Sequence, residues 1–467
     1  MKIGVYSTPS VKIRLGAKPG GLGILTCMNQ ESTKHGMSKI KAPEALVIGL
    51  LFFSPFFLFG QGPITYYEHV RPILEKNCIA CHRVGEAAPF SLETYEDVER
   101  RASFIQMVTE TRYMPPWFAD PEFRHYRNER ILTEAEIQTI AAWVKGGAKK
   151  GKEPKDLTIA APVTYPKPDL VIPMNKPFTT PGNGTEQFRL FVMPSNTQEE
   201  LYVKGIDFRP GNLKIAHHAR LMVDTTHVFR PDDGALVSDT VLPTTNLDVM
   251  LASYFWYGWV PGNFPTLYPE GIAKKLPRNA DILLNMHYSP TTTPETDQSR
   301  VLLYLTKEKP RRPVKTFVLD EGWISNQPFY IPPNEVVTFY MRSPLVPADL
   351  SLINVLPHMH LLGKSFRSFA ITPDGEVINL IKIDDWNFNW QMTYQFDQLV
   401  KLPKGSVVYA EAVYDNTTNN PRNPYFPPRP ATTGWGTFDE MMNLIFEYID
   451  YEEGDENLNL YQALKEK

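Results

Sequence analysis

The stretch from residue 187 to residue 450 most restricts the fold, because it reads as a succession of short strands. Segments such as QFRLFVMP, DILLNMHYSP and SVVYAEAVYDN, rich in aliphatic and aromatic residues, alternate with turn residues, and the chain contains 42 prolines. Proline interrupts helices, whereas β-branched and aromatic residues favour strands. We therefore predict β-sandwich structure for this region, with helices confined to the residues before it.

A weak internal repeat divides the β-rich region in two. LPRNADILLNMHYSPTT, from Leu276, aligns with LPKGSVVYAEAVYDNTT, from Leu402, and a histidine pair precedes each copy. Matches of this length also arise by chance from hairpin sequences. The alignment nevertheless favours two related sandwiches, which we place at residues 165–310 and 311–455.

Residues 62–152 have a helical pattern instead. In LTEAEIQTIAAWVKGGAKKG, Thr133 and Glu136 form a capping box, apolar residues recur with helical spacing, and Gly146 ends the pattern. YYEHVRPILEKN reads as a second, short helix. We therefore expect a small helical module ahead of the sandwiches.

The motif CIACH lies in this module and contains two of the three cysteines of the chain. Cys-x-x-Cys-His is the attachment signature of a c-type haem: Cys78 and Cys81 would bond covalently to the haem, and His82 would be an axial ligand. The alternatives are a thioredoxin-like pair, which needs a βαβ setting, and a zinc site, which needs further Cys or His ligands nearby. The sequence supplies neither, so we predict haem c.

The sixth iron ligand is expected to be a methionine between the motif and the last helix. Met114, in RYMPPWFADP, lies where the prolines deny helix structure, as a ligand loop requires. Met107 falls within a helical pattern, which predicts a core residue, and His125 is a further alternative. Methionine ligation raises the reduction potential, so this haem is interpreted as an electron carrier. Residues 62–152 thus resemble a small all-α cytochrome c domain.

Five of the ten histidines fall in three clusters of the β-rich region: AHHARL with His217 and His218, NMHYSP with His287, and PHMHLL with His358 and His360. In an extended strand, the two histidines of PHMHLL point the same way, so both can bind one metal ion. Each cluster alone is also compatible with ordinary strand histidines, and the adjacent pair could straddle a strand.

The second half of the repeat has Val413 where the first half has His287. A metal site built on His358 and His360 therefore needs a donor from elsewhere in the chain. Met441, in GWGTFDEMMNLIFEY, offers a soft thioether suited to copper(I).

This order of donors resembles the copper-dependent hydroxylases related to peptidylglycine α-hydroxylating monooxygenase and dopamine β-monooxygenase, over residues 180–455. The sequence DEMMN, from Asp439, matches the family's methionine motif. The resemblance implies two tandem all-β jelly-roll domains after the all-α cytochrome c domain, and two mononuclear coppers. One copper would bind His217, His218 and His287, and the other, which binds oxygen, would bind His358, His360 and Met441.

The chain departs from the peptide-amidating members of that family at two positions. Their arginine and tyrosine, which grip the substrate carboxylate, are replaced by Leu356 and Ile445. Peptide amidation is therefore not expected. The family's disulfides cannot form either, because no cysteine lies within residues 180–455.

The resemblance implies that an organic substrate, O2 and an electron donor, either an ascorbate-like reductant or a redox protein, are the partners of the protein. We predict hydroxylation of a C–H bond, with electrons relayed by the haem. An extracytoplasmic electron-transfer or copper-binding protein without hydroxylase activity is the alternative, and a carbohydrate- or adhesion-type sandwich is a second one. The formal net charge of −4, without a long basic run, gives no indication of nucleic-acid binding.

The N-terminus divides into two pieces. Residues 1–36 are interpreted as a mis-called extension, with Met37 as the start. From there Lys39 and Lys41 precede an apolar stretch, Ala45 to Phe59, which has the layout of a secretory signal. An uncleaved membrane anchor is the alternative for residues 37–60, since no A-x-A cleavage site is present. Either reading predicts an extracytoplasmic, periplasmic location.

Overall fold

The structure of the protein is a computed structural model that describes residues 62–86, 88–127, 129–155, 166–237, 255–434, 436–458 and 460. The predicted extension and signal, residues 1–36 and 37–60, lie outside these ranges. The chain from Gln61 onward forms one compact unit. Within the described ranges, none of the helices has both the length and the apolar character needed to span a membrane.

Four short α-helices occur in the first part of the described chain. They are α1 (Arg71–Asn77), α2 (Tyr95–Glu99), α3 (Ala102–Glu110) and α4 (Glu134–Lys145), and a π-helical turn, Tyr66–Val70, precedes α1. The capping box predicted for α4 is present, with Thr133 and Glu136 bonded reciprocally. The helices share a core that includes Leu74, Ile140 and the fully buried Trp143.

The predicted all-α cytochrome c domain is wrong as a description of this region. Its helices are only 5 to 12 residues long, and the segment between α3 and α4 joins the β-structure. Ala119 forms a β-bridge with Ile383 and Tyr126 with Phe396, and the Tyr126 hydroxyl donates to the carbonyl of Leu380 at 2.6 Å. Because these bonds tie the helical region to a sheet, the fold is a β-rich sandwich structure with helices attached to it.

The first set of strands covers residues 170–313 and forms two larger sheets. One has the order β1-β12-β4-β9-β13, with β8 beside β4, the other has the order β6-β3-β10-β5-β7, and β2 and β11 pair separately. The bounds are β1 (Leu170–Pro173), β2 (Phe178–Thr179), β3 (Gln187–Pro194), β4 (Leu201–Arg209), β5 (Ala216–Asp224), β6 (Ala235–Leu236), β7 (Phe255–Trp259), β8 (Thr266–Leu267), β9 (Ile272–Leu276), β10 (Asp281–Tyr288), β11 (Thr296–Asp297), β12 (Arg300–Thr306) and β13 (Arg312–Pro313).

The second set covers residues 315–450 and forms two four-stranded sheets. Their orders are β14-β23-β17-β20 and β16-β21-β18-β19, and β15 and β22 pair separately. The bounds are β14 (Lys315–Leu319), β15 (Tyr330–Ile331), β16 (Val336–Arg342), β17 (Leu350–His358), β18 (Gly363–Ile371), β19 (Val377–Ile383), β20 (Tyr394–Leu402), β21 (Val407–Asp415), β22 (Ala431–Thr432) and β23 (Asn443–Asp450).

Each set of sheets encloses its own apolar core. Strands of both large sheets contribute to the core of the first set, through residues such as Phe208 on β4 and Leu284 on β10. The core of the second set likewise joins Phe366 on β18 to Phe446 on β23. Buried residues alternate with more exposed ones along strands such as β18 and β21, whose sheet packs one face inward, whereas β10 is buried along its whole length.

A buried polar network joins the two sets of sheets. The Lys274 ammonium on β9 forms an ion pair with the Glu447 carboxylate on β23, and both side chains are almost fully buried. Tyr268 donates to the same carboxylate at 2.9 Å, and Asn354 donates at 2.6 Å. Charges in a low-dielectric interior need such partners, so this network fixes the two sets against each other.

Candidate metal centre

Three histidines of the first set lie together at the ends of β5 and β10. His287 on β10 is the cross-strand partner of His218, whereas the next residue, Tyr288, pairs with Ala216. His217 is thus the extra residue of a β-bulge, which turns its ring to the same side as that of His218. One ring nitrogen from each of the three histidines lies within 4.8 Å of the others. The adjacent pair therefore does not straddle the strand.

Polar neighbours orient these rings. The Glu186 carboxylate lies 3.0 Å from His287 Nε2, and Thr437 donates to the same oxygen at 2.8 Å. His217 Nε2 lies 3.1 Å from the Asn389 amide oxygen. His287 Nδ1 is buried and has no hydrogen-bond partner among the described residues. With Nε2 engaged by Glu186, Nδ1 is the nitrogen that His287 presents to a metal ion.

His358 and His360 lie at the end of β17, with ring centroids 5.1 Å apart. Both are buried, and Met359 between them packs into the core of the second set, so the alternation expected from the sequence is present. The carbonyl of Asp439 accepts from His360 Nδ1 at 3.0 Å. The neutral tautomer with the proton on Nδ1 therefore leaves His360 Nε2 for a ligand.

Met441 lies two residues before β23, beside the end of β17. The Tyr414 hydroxyl donates to its carbonyl at 2.8 Å. The side chains of Met441, His358 and His360 line one cavity, and His218 lines it as well. The structure thus brings His218 of the first group and all three donors of the second to a single cavity, which lies between the two sets of sheets.

Phe388, from the loop between β19 and β20, lies between the two groups. Its ring stacks on His217 at a centroid distance of 5.3 Å and lies 5.8 Å from the ring of His360. The rest of the wall near His358 is mixed: Arg220 and Gln391 line the same cavity, Gln391 hydrogen-bonds His358, and an apolar patch lies beside them. Leu356 on β17 pairs directly with Ile445 on β23, and both pack against Phe255.

Burial keeps the imidazoles neutral. Desolvation lowers the pKa of His217 and that of His360 to about 4, and it lowers the pKa of His218 and that of His358 well below the usual value. Neighbouring histidines add to the effect at His217, His218 and His358, because a second positive charge is disfavoured beside the first. Neutral imidazoles are the form that binds metal ions, so these rings are ready to coordinate near neutral pH.

Two carboxylates support the site, and their pKa values are shifted in opposite directions. Burial raises the pKa of Glu186, but the bonds from His287 and Thr437 outweigh it, so the pKa is lowered. Burial raises the pKa of Glu440 to about 8, although the backbone N–H groups of His360 and Leu362 donate to it at 3.0 and 2.6 Å. Glu440 thereby holds the backbone of the His-x-His segment in place.

The CIACH motif forms a helical turn directly after α1. The N–H groups of Cys81 and His82 donate to the carbonyl of Cys78, at 3.2 and 3.0 Å, which brings the three side chains to one end of the helix. Neither thiol is in a disulfide, and burial raises the pKa of Cys78 to about 12. His82 Nδ1 lies 3.1 Å from the carbonyl of Phe90, which leaves Nε2 as the coordinating nitrogen.

The alternatives for the sixth iron ligand lie in different settings. Met114 follows α3 in a loop, and its N–H donates to the carbonyl of Val108 at 3.0 Å. Met107 is exposed on α3, with 51% of its surface accessible, so its interpretation as a core residue is wrong. His125 is exposed and pairs with Glu129 at 3.2 Å, which is typical of a surface histidine.

One family model matches the C-terminal part of the chain. The model for the copper type II ascorbate-dependent monooxygenase, C-terminal domain, matches residues 322–460. These residues are related to the copper type II monooxygenases. The match confirms, for this part of the chain, the relation predicted from the order of donors. It includes His358, His360 and Met441, whereas His217, His218 and His287 precede it.

Other comparisons add nothing to the monooxygenase relationship. No curated protein matches the chain. Among solved structures, the major capsid protein P2 of bacteriophage PM2 has a TM-score of 0.27 at 11% identity, over 61% of this chain and 99% of that one. A Bacillus subtilis oxalate decarboxylase variant has a TM-score of 0.13 at 8% identity, over 59% and 72% of the two chains. Likenesses this weak carry no argument.

The side chains present suit the copper that the monooxygenase family uses. Imidazoles and a thioether are donors that bind copper well, and the unpaired buried Nδ1 of His287 is a polar atom that a metal ion would satisfy. Sequence reasoning missed Glu186, Phe388 and Asn389, which no motif marks. Glu440 was visible within the DEMMN motif, but its hydrogen bonds to the segment that follows β17 were not.

Proposed function

We propose that this protein is an exported copper-dependent monooxygenase that hydroxylates a C–H bond of an organic substrate with O2. The observation that carries the proposal is the cavity onto which both groups of donors open, one with His218 and the other with His358, His360 and Met441. The relation of residues 322–460 to copper monooxygenases supports it. Measurement of copper in the purified mature protein, with two copper ions per chain expected, tests it first.

The two groups of side chains would have different roles in hydroxylation. Hydroxylation inserts one oxygen atom and reduces the other to water, so it consumes two electrons beyond those of the C–H bond. Copper held by His217, His218 and His287, and copper held by His358, His360 and Met441, would each supply one electron, with dioxygen activated at the second group. The thioether of Met441 favours the reduced ion at that group.

The residues around the donors hold the donor side chains in position and limit the access of water. Glu186 holds the His287 ring through Nε2, and Glu440 holds the backbone of His360. The buried Phe388 ring occupies the space between the groups and so keeps water from part of it. Exclusion of water strengthens the electrostatic interactions within the site and limits side reactions of activated oxygen.

One part of the cavity wall is apolar, and Arg220 and Gln391 line another part. Leu356, Ile445 and Phe255 form one cluster beside His358, and each is less than 10% exposed. An apolar patch binds a hydrocarbon group, whereas the Arg220 guanidinium on the same cavity suits a polar or anionic group. We therefore propose that the C–H bond that reacts belongs to an apolar part of the substrate.

The CIACH motif would supply the electron carrier. Two free thiols and an imidazole whose Nδ1 is engaged by Phe90 suit covalent haem, with Cys78 and Cys81 as attachment points and His82 as a ligand. Met114 is the proposed sixth ligand. Haem held here would pass electrons from an ascorbate-like reductant or a redox protein. Equal hydroxylation rates in the Cys78→Ala/Cys81→Ala protein and the parent would refute this role.

One observation favours a second function, that of an electron-transfer or copper-binding protein without hydroxylase activity. The residues that grip the substrate in peptide-amidating relatives are replaced, and the Leu356–Ile445 pair is closely packed. Oxygen uptake separates the two functions. A monooxygenase consumes O2 only when both copper and an organic substrate are supplied, whereas the alternative shows no substrate dependence.

Export is proposed from the layout of residues 37–60, which lie outside the described residues. Cell fractionation, combined with N-terminal sequencing of the mature chain, tests it. A mature N-terminus near residue 61 in the periplasmic fraction is expected for a cleaved signal, and an intact segment in the membrane fraction for an anchor.

A further inference from the structure

The segment FWYGWVPGNFP, residues 255–265, reaches from the copper-site cavity to the CIACH motif. At one end, Gly258, Trp259 and Val260 line the cavity that His218 and His358 also line. At the other end, Gly262 lies against the motif: a Cβ added to Gly262 would lie only 3.0 Å from Cys81 Sγ. We call residues 258–262 the connecting segment.

Arg130 holds the motif end of the connecting segment in place. Its guanidinium donates to the carbonyl of Gly262 at 2.7 Å and lies 3.9 Å from Cys81 Sγ. It also stacks over the Phe264 ring at 4.6 Å. Gly262 has a φ of +83°, which side chains rarely adopt, so glycine both permits the turn and allows the close approach to the thiol.

Trp259 joins this end to the histidines. It pairs across β5 and β7 with Ala219, the residue next to His218. It also lines a second cavity of about 430 Å³, whose walls include Ile79 and Ala80 of the motif. Trp259 thus lines both the copper-site cavity and the cavity beside the motif.

Internal hydrogen bonds keep the connecting segment rigid. Asn263 donates from its side chain to the carbonyl of Gly258 at 3.2 Å and from its backbone to the carbonyl of Val260 at 3.0 Å. Trp259 is 5% exposed and packs edge-on against Phe208 at 5.5 Å. A rigid path that excludes water lowers the reorganisation that accompanies movement of charge.

We infer that the connecting segment is the electron route from the CIACH motif to the copper bound by His217, His218 and His287, and that Trp259 is its positioning residue. The inference rests on the proposed function, because it requires haem at Cys78 and Cys81 and copper at the three histidines. With haem and copper bound, one electron would move, so that Fe(II) would become Fe(III) as Cu(II) becomes Cu(I). No bond forms or breaks, and the external reductant then returns the iron to Fe(II).

The test follows the haem directly and needs no substrate. Under nitrogen, a flavin donor injects one electron photochemically into the haem of the full-length holoprotein, and haem absorbance reports how fast the electron leaves. The parent is loaded either with Cu(II) or with redox-inert Zn(II). Rapid-freeze electron paramagnetic resonance records the matching loss of the Cu(II) signal. Fast reoxidation with Cu(II), and none with Zn(II), is expected for the parent.

Substitutions in the connecting segment should slow this step. Trp259→Leu should lower the rate at least about tenfold, and Trp259→Phe, which keeps an aromatic ring, should lower it less. Gly262→Ala should also slow it, because the added methyl pushes the turn away from Cys81. Trp323→Leu is the matched control, since Trp323 is 41% exposed and lines neither cavity.

The outcomes separate the inference from the function on which it rests. Copper-dependent reoxidation that proceeds at the parental rate in Trp259→Leu and in Gly262→Ala would overturn the route and leave the proposed function intact. Absence of haem from the parent, or equal reoxidation with Cu(II) and Zn(II), would overturn the haem relay and the route together. If Trp259→Leu fails to fold, as judged by circular dichroism and metal content, Trp259→Phe and Gly262→Ala decide.

Discussion

Removal of the Glu186 carboxylate should weaken copper binding at the three-histidine group and leave the other group unchanged. Glu186 accepts a charge-assisted bond from His287 Nε2 at 3.0 Å and also accepts from Thr437 at 2.8 Å. In Glu186→Ala, His287 loses the partner that fixes its tautomer and the direction of its ring. Loss of such a carboxylate behind a ligating histidine costs about 10- to 100-fold in metal affinity.

This range corresponds to about 1.4 to 2.8 kcal/mol of binding free energy. Glu186→Gln should lie near the lower end, because the amide oxygen still accepts from His287 although the negative charge is gone. The measurement is anaerobic competition for Cu(I) against a chromophoric chelator. It is carried out in a His358→Ala/His360→Ala background, so that only the three-histidine group binds copper.

Glu200→Ala is the matched control, since Glu200 is on the surface and pairs only with Lys275, at 3.7 Å. An affinity of Glu186→Ala within about threefold of the parent would refute the reasoning, because it lies below the range for an orienting carboxylate. A second check uses a His217→Ala/His218→Ala background, in which Glu186→Ala should leave the copper affinity of the Met441 group as in the parent.

Three other substitutions test separate parts of the structure. The folded-state pKa of Glu440 is raised to about 8, so the protonated form stabilises the fold and this contribution is lost as pH rises from about 4.5 towards 8. The free energy of unfolding in urea, measured for the parent relative to Glu440→Gln, should therefore fall over that window by up to about 1.4 kcal/mol per pH unit. Leu356→Ala should raise KM for neutral apolar substrates about tenfold without a change in copper content, and an unchanged KM would place the substrate elsewhere. Lys274→Met should lower the free energy of unfolding by about 3 to 5 kcal/mol, because it leaves the buried Glu447 carboxylate without its ion-pair partner. Chemical denaturation measures this loss, and addition of Glu447→Gln should restore part of it.

The sequence predicted the β-rich region better than the way in which the helical region joins it. Periodicity and turn residues locate strands, because the alternation of apolar and polar residues is a local property of the sequence. The helical region was predicted as a separate all-α domain, yet Ala119 and Tyr126 join a sheet. Such a bridge depends on which strand edge lies nearby, and a pattern along the chain does not contain that information.

The same limit applies at the site. Adjacent histidines on a strand point to opposite faces, so His217 and His218 could be brought together only by the bulge opposite His287. Glu186 and Phe388 reach the site from distant loops and carry no motif. Leu356 and Ile445 were recognised one by one as departures from a family, but their pairing across β17 and β23 follows from strand register alone.

The Phe388 ring changes how the two groups of donors should be regarded. The resemblance implies two separate mononuclear coppers, whereas here one buried ring packs against both groups, with ring-centroid distances of 5.3 Å to His217 and 5.8 Å to His360. The loop that carries Phe388 also engages His217 through Asn389, while Thr437 beside the second group engages Glu186 beside the first. Three contacts thus cross between the groups, and the Lys274–Glu447 ion pair fixes the sheets behind them. An electron that arrives at His218 through Trp259 would then cross to His360 beside the cavity that both residues line, and Phe388 is the residue whose ring contacts both groups.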